Sequence, residues 1–125
     1  MDKTDKLRNL EFGKFAEEKA AEFYISNGYA IRERNWRLGK IEIDIIAQEG
    51  NTIVFIEVKA RSGRDMSPAD AVTLDKMKKM TRGADSYLKS MNGDYEYRYD
   101  IFALTGDFTT YSTEVFMDAF VSPLL

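Results

Sequence analysis

Residues 41–60 read Ile41-Glu42-Ile43-Asp44-Ile45-Ile46-Ala47-Gln48-Glu49-Gly50-Asn51-Thr52-Ile53-Val54-Phe55-Ile56-Glu57-Val58-Lys59-Ala60, and the fold turns on this stretch. Two apolar, β-branched runs, Ile41 to Gln48 and Ile53 to Ala60, flank the turn-forming Glu49-Gly50-Asn51-Thr52, the signature of a β-hairpin. With Gly50-Asn51 as a two-residue loop, Glu49 pairs with Thr52, Asp44 lies across from Glu57, and Glu42 lies across from Lys59. Side chains alternate along a strand, so these four charged residues are expected on one face. Ile41, Ile43, Ile45, Val54, Ile56 and Val58 are expected on the other as an unbroken apolar surface. A three-residue loop would instead put Asp44 and Glu57 on opposite faces.

The opposed acids need a counter-charge. Facing Cβ atoms lie roughly 4.5–5.5 Å apart, and like charges there destabilise a sheet. A divalent cation would serve, since Mg²⁺ is commonly held by one or two carboxylates plus substrate phosphates. Lys59 follows Glu57 on the same face, roughly 7 Å along the strand. A carboxylate pair with an ammonium beside it suits a metal-activated water attacking a phosphodiester. The same residues also read as a solvated sheet face of mixed charge.

The 125 residues suit one domain, 1–125, with 44% hydrophobic and 31% charged residues, the profile of a folded soluble chain. No apolar run approaches the roughly 18 residues of a membrane span. The start, Met1-Asp2-Lys3-Thr4-Asp5-Lys6, is polar and unlike a signal peptide, so a cytoplasmic location is expected. The absence of cysteine and histidine excludes disulfides, thiolate or imidazole metal sites and histidine-based triads. Acid–base and metal chemistry must rest on carboxylates, lysine or tyrosine. The net charge of −3 argues against a strong non-specific nucleic-acid binder. Its distribution is uneven, however: residues 94–125 carry a net −5, and residues 31–93 a net +3.

Helical spacing of Phe12, Phe15, Ala16, Ala20, Phe23 and Tyr24 predicts a helix over residues 5–26. Glu17 falls at the edge of the apolar arc, the one acid there able to reach toward the sheet, or else to turn back into water. Lys19 falls inside the arc and breaks the pattern. Asn27-Gly28 ends the helix. Residues 29–37 form a strand with Arg32, Arg34 and Trp36 on one face, followed by Arg37 and Lys40. Basic groups beside an aromatic suit a phosphate backbone and a stacked base; a charge-guarded edge strand is the alternative. Arg61 and Arg64 follow the central strand. Ser67-Pro68-Ala69-Asp70 is expected to cap a second helix, with Met77, Met80, Ala84, Tyr87, Leu88 and Met91 buried and Lys76, Lys78, Lys79 and Arg82 on the remainder. A strand over Tyr95–Leu104 and a further one near Phe108–Tyr111 complete the chain; Glu114–Phe120 is ambiguous.

The order helix, strand, strand hairpin, helix, strand carries a Glu in the first helix, an Asp in the second strand and Glu-x-Lys in the third. This resembles the PD-(D/E)XK, or restriction-endonuclease-like, nuclease superfamily, and within it the YraN family. The matching stretches include Ala16-Glu17, Asn27-Gly28-Tyr29, Arg34-Asn35-Trp36-Arg37, Glu42-Ile43-Asp44, Phe55-Ile56-Glu57-Val58-Lys59-Ala60-Arg61-Ser62, Tyr87-Leu88 and Arg98-Tyr99-Asp100. Ile41 and Ala16 stand where such families often have Gly.

The resemblance implies an α/β fold with a mixed central β-sheet flanked by helices, and an endonuclease dependent on Mg²⁺ or Mn²⁺. Asp44 and Glu57 would ligate the metal, with the Val58 carbonyl a further ligand. Glu17 would hold the outer sphere through water. Lys59 would orient the attacking water and stabilise charge on the phosphate. Glu42, Arg61 and Asp100 match the family pattern without an assigned role. The expected partner is nucleic acid, DNA before RNA with branched DNA among the candidates, contacted by Arg34, Arg37, Arg61, Arg64, Lys76 and Lys79. A homodimer would set two sites on opposite strands. The competing expectations are a non-catalytic nucleic-acid-binding domain and a protein-interaction module on the same scaffold.

Overall fold

The computed structural model describes residues 3–62 and 72–122. Helix α1 (Lys3–Ser26) leads into strands β1 (Ala30–Leu38), β2 (Ile41–Glu49) and β3 (Thr52–Arg61), then helix α2 (Leu74–Lys89) and strands β4 (Glu96–Gly106) and β5 (Tyr111–Phe116). The five strands lie in chain order. β1, β2 and β3 form an antiparallel meander, β3 and β4 are parallel across α2, and β5 returns antiparallel. The result is the expected α/β architecture, a mixed sheet with one helix on each face. No helix among the described residues is long and apolar enough to cross a membrane.

The hairpin register is the one expected, with Glu49 paired to Thr52 and Ile45 to Ile56. Gly50, with φ of 58°, takes the first central position of the loop, where a type II′ turn calls for Gly. Each sheet face then collects its own core. Toward α1, Ile45, Ala47, Val54, Ile56, Phe102 and Leu104 pack with Phe12, Ala16, Ala20 and Tyr24. Toward α2, Ile43, Ile46, Ile53, Phe55 and Tyr99 pack with Met80, Ala84 and Tyr87. Gly83 lets α2 settle close: a Cβ there would stand 3.0 Å from Ile43 Cδ1 and 3.1 Å from Ile41 Cγ2.

The unbroken apolar face expected of the hairpin is corrected here. Ile43 packs toward α2 and Ile45 toward α1, although residues two apart should share a face. The strand therefore rolls over between them, at Asp44. The β1–β2 ladder pairs Arg34 with Ile45 and Trp36 with Ile43, and skips Asn35 and Asp44. Asn35 has φ of 52°, a left-handed conformation that asparagine tolerates better than most residues. With a further register shift between Ile31 and Glu33, this also divides the basic face expected of β1. Arg32 bonds Tyr87 of α2, whereas Arg34 pairs with Glu18 of α1.

Three other expectations shift. Residues 67–70 lie outside the described residues; among those, α2 begins at Leu74, and its N-cap is Thr73, whose side chain accepts from Lys76 N–H. The last strand covers Tyr111–Phe116, while Phe108–Thr110 belong to the preceding bend. Lys19, the flaw in the helical arc, reaches over the rings of Phe15 and Tyr111 and pairs with Glu22, its stem lying on apolar surface.

Asp100 fastens the α1 layer to the sheet. Fully buried on β4, it accepts from Tyr24 OH at 2.7 Å, from Arg98 Nε at 2.9 Å and from Asp118 N–H at 3.0 Å. Arg98 also donates to Tyr29 OH at 2.7 Å. Burial, and next the Asp100 charge, hold the Tyr24 hydroxyl protonated far above its ordinary range. Removing one partner of a buried charged pair leaves the other uncompensated. Asp100→Ala should therefore cost about 3–5 kcal/mol, and Tyr24→Phe about 1–3 kcal/mol through one lost donor. Urea unfolding followed by circular dichroism measures both; equal midpoints for wild type and Asp100→Ala would refute this role.

Candidate functional site

The roll at Asp44 gathers the candidate residues. Beyond the Ile45–Ile56 pair, Asp44 Oδ2 accepts from the Val58 main-chain N–H at 2.8 Å. A side chain thus takes a main-chain donor of the neighbouring strand, and fixes its carboxylate against the Glu57-Val58-Lys59 segment. Val54, Ile56, Val58 and Ala60 belong to the α1 core, so alternation turns Glu57 and Lys59 to the α2 side. The Glu57 side chain is 7% exposed, with Oε1 3.9 Å from Lys59 Nζ and Oε2 3.0 Å from Lys76 Nζ.

Electrostatics register the crowding. The Asp44 carboxyl is held well above the usual carboxylate range, first by burial and then by the Glu57 charge; the Val58 N–H and the Lys76 ammonium act in the opposite direction. Glu17, half-buried on α1, is also raised, by burial and then by Asp44, while Arg34 opposes the rise and Asn35 donates a hydrogen bond to the charged form. Glu17 thus feels the Asp44 charge from the other helix. It lines a cleft of about 710 Å³ with Gly13, Lys14, Arg34, Asn35 and Glu42, whose walls do not include Asp44 or Glu57.

Glu42 is not set against Lys59. It stands in that cleft, paired with Arg37 at 2.6 Å. Four of the cations expected at phosphates are paired with acids: Arg34 with Glu18 at 2.7 Å, Arg37 with Glu42, Lys79 with Asp75 at 3.2 Å and Lys76 with Glu57. Arg64 lies outside the described residues. Arg61 is partly buried, and its Nε is a buried donor with no hydrogen-bond partner among the described residues. Lys76, expected on a solvated helix face, is at the centre of the site. Asn35 escaped notice as a positioning residue, although a lone Asn inside a strand pattern is the signal that could have exposed it.

The donor set fits a hard divalent cation. Glu57 Oε2 is buried and, although Lys76 Nζ is in charge contact with it, no donor among the described residues meets it in hydrogen-bond geometry. An unused carboxylate lone pair beside a second carboxylate is what an oxygen-seeking ion takes up. Among the described residues no three acids cluster into a metal cage. Two carboxylates with main-chain, water and phosphate oxygens match the habit of Mg²⁺.

Fold and site together define a restriction-endonuclease-like α/β domain bearing an acidic pair, Glu57 buried and Asp44 half-buried, bracketed by two lysines. The chain belongs to UPF0102, described as an uncharacterised protein family, whose pattern matches residues 16–104. It is 43% identical over 115 residues to a UPF0102 protein of Phocaeicola vulgatus, covering 91% of this chain and 95% of the relative. It is 41% identical to UPF0102 protein FP2501 of Flavobacterium psychrophilum, covering 88% and 93%. A UPF0102 protein of Caldicellulosiruptor saccharolyticus is 42% identical, covering 76% and 82%.

The raised Asp44 group sets a pH dependence for the metal-free protein. The folded chain retains a proton that the unfolded chain releases near the ordinary value of 3.8. This contribution to stability is complete below that value and is lost as pH rises through the raised one. Asp44→Asn cannot lose it. In chelator, the urea midpoint of Asp44→Asn should therefore gain on wild type between pH 4 and pH 8; a constant difference would contradict the assignment.

Proposed function

We propose that this protein is a metal-dependent endonuclease that hydrolyses nucleic-acid phosphodiester bonds, consistent with its resemblance to YraN and the PD-(D/E)XK nucleases. The observation that carries the reading is the Asp44–Glu57 pair, Glu57 buried and Asp44 half-buried, held by Val58 N–H and approached by Lys59. A pair of like charges without a ligand to hold would be a cost with no return.

Asp44 and Glu57 would hold Mg²⁺ or Mn²⁺, with the Val58 carbonyl within the same segment and Glu17 facing the pair from α1. The ion, when bound, supplies Lewis-acid polarisation of the phosphoryl group and lowers the pKa of water. Lys59 donates to the attacking water and to the phosphate oxygen on which charge builds. Arg61, two residues beyond Lys59, would bring its guanidinium to an adjacent phosphate. DNA is favoured over RNA by the resemblance alone. Two chains related by a two-fold axis would present two such sites to opposite strands of a branched substrate.

Cleavage of labelled single strands, duplexes, flaps and four-way junctions, in DNA and RNA, tests the reading with Mg²⁺, Mn²⁺ or chelator. Wild type should cut at least one substrate only with metal. Glu57→Ala and Lys59→Ala should each lose at least about a hundredfold in rate, the usual scale for a positioned catalytic group. Cutting that survives either substitution would place the chemistry elsewhere. No cutting, together with no metal binding, would favour a nucleic-acid-binding or protein-interaction domain.

A further inference from the structure

The hairpin supplies both acids and Lys59, but Lys76 reaches the pair from a different element. It occupies the first turn of α2, where its N–H is tied to Thr73 Oγ1 at 3.2 Å. The helix start is thereby fixed with this residue over the sheet. Its Nζ stands 3.0 Å from Glu57 Oε2, nearer than Lys59 Nζ stands to Oε1. The Lys76 side chain is 30% exposed, against 7% for Glu57, so the ammonium enters from the solvent side. The oxygen it faces is the one with no donor in hydrogen-bond geometry among the described residues.

A divalent ion drawn to the acidic pair would need this same oxygen. An ammonium and a dication cannot share it: at about 4 Å, charges in a partly buried site interact by several times thermal energy. Lysine is suited to leaving, since it is a compact charge on a flexible stem with no planar fork to hold it.

We propose that Lys76 is the resident counter-ion of the metal-free site, exchanged for the divalent ion and thereby turned toward the substrate phosphate. This rests on the metal-dependent reading above and deepens it. Metal binding and phosphate binding become linked through one side chain. Without metal, the ammonium neutralises the acids and is withheld from the substrate. With metal, it is expelled and adds a phosphate contact.

The test is Mn²⁺ affinity without nucleic acid, by electron paramagnetic resonance at pH 8.5, where a proton does not replace the missing ammonium. Wild type is compared with Lys76→Met, Glu57→Gln and Lys89→Met, the last a control on the same helix whose ammonium pairs with Asp85 at 3.0 Å. Lys76→Met should bind Mn²⁺ at least about tenfold tighter than wild type. Lys89→Met should match wild type, and Glu57→Gln should lose binding. Lys76→Met should also melt lower in chelator and be raised more than wild type by saturating Mn²⁺, which shows that it folds and that a cation replaces what was removed. Wild-type binding that is lost in Glu57→Gln but equal or weaker in Lys76→Met would overturn this proposal and leave the metal reading intact. No Mn²⁺ binding by wild type or Lys76→Met would overturn both.

Discussion

Two carboxylates facing each other across a hairpin, one buried and the other half-buried, raise the free energy of any fold that contains them. Much of the local structure around Asp44 and Glu57 answers that repulsion. The Val58 N–H is diverted from the ladder to Asp44, Lys59 follows Glu57 along its strand, and Lys76 descends from α2. Each compensates in part, and none closes off Glu57 Oε2. The pair is compensated well enough to persist in the fold, and the metal dependence proposed above rests on what that compensation leaves undone.

The roll of β2 at Asp44 makes the arrangement possible. A regular strand would give Ile43 and Ile45 to one core and leave the opposite helix without its partner. Turning over between them lets α2 take Ile43 and α1 take Ile45, so both helices pack closely on one sheet, with Lys76 of α2 against Glu57 and Glu17 of α1 within reach of the Asp44 charge. The left-handed Asn35 is the backbone feature on which the roll depends. Asp100 adds the complementary constraint: by binding Tyr24 and the Asp118 N–H, it stops α1 from sliding along the sheet.

Much of this was legible in the sequence, for identifiable reasons. The hairpin could be read because turn chemistry and β-branched runs are local signals, and Gly50-Asn51 sets the register of everything paired beyond it. Glu17 could be placed because helical spacing puts it at the margin of an apolar arc. The roll could not be read, since it depends on one dihedral angle at Asn35 that no alternation pattern reports. The part played by Lys76 was hidden because its position is set by how closely α2 approaches the sheet, which in turn depends on the missing side chain at Gly83. Arg34 and Arg37 looked available for phosphate because their partners, Glu18 and Glu42, are brought near only by tertiary packing and by the disturbed alternation of β1 and β2.

The strands lie in the sheet in chain order, and this bears on how the protein is made. The meander of β1, β2 and β3 closes through short turns at small entropic cost. The β3–β4 pairing must wait for α2 to be laid down across the sheet. A chain emerging from its N-terminus completes the hairpin, with Asp44 and Glu57 already opposed, before Lys76 has been added. For that interval the acids lack the ammonium they later acquire, and their exposure to ions from solution is greatest. The newly made hairpin thus meets its environment as an open anionic site, and the helix that follows closes it.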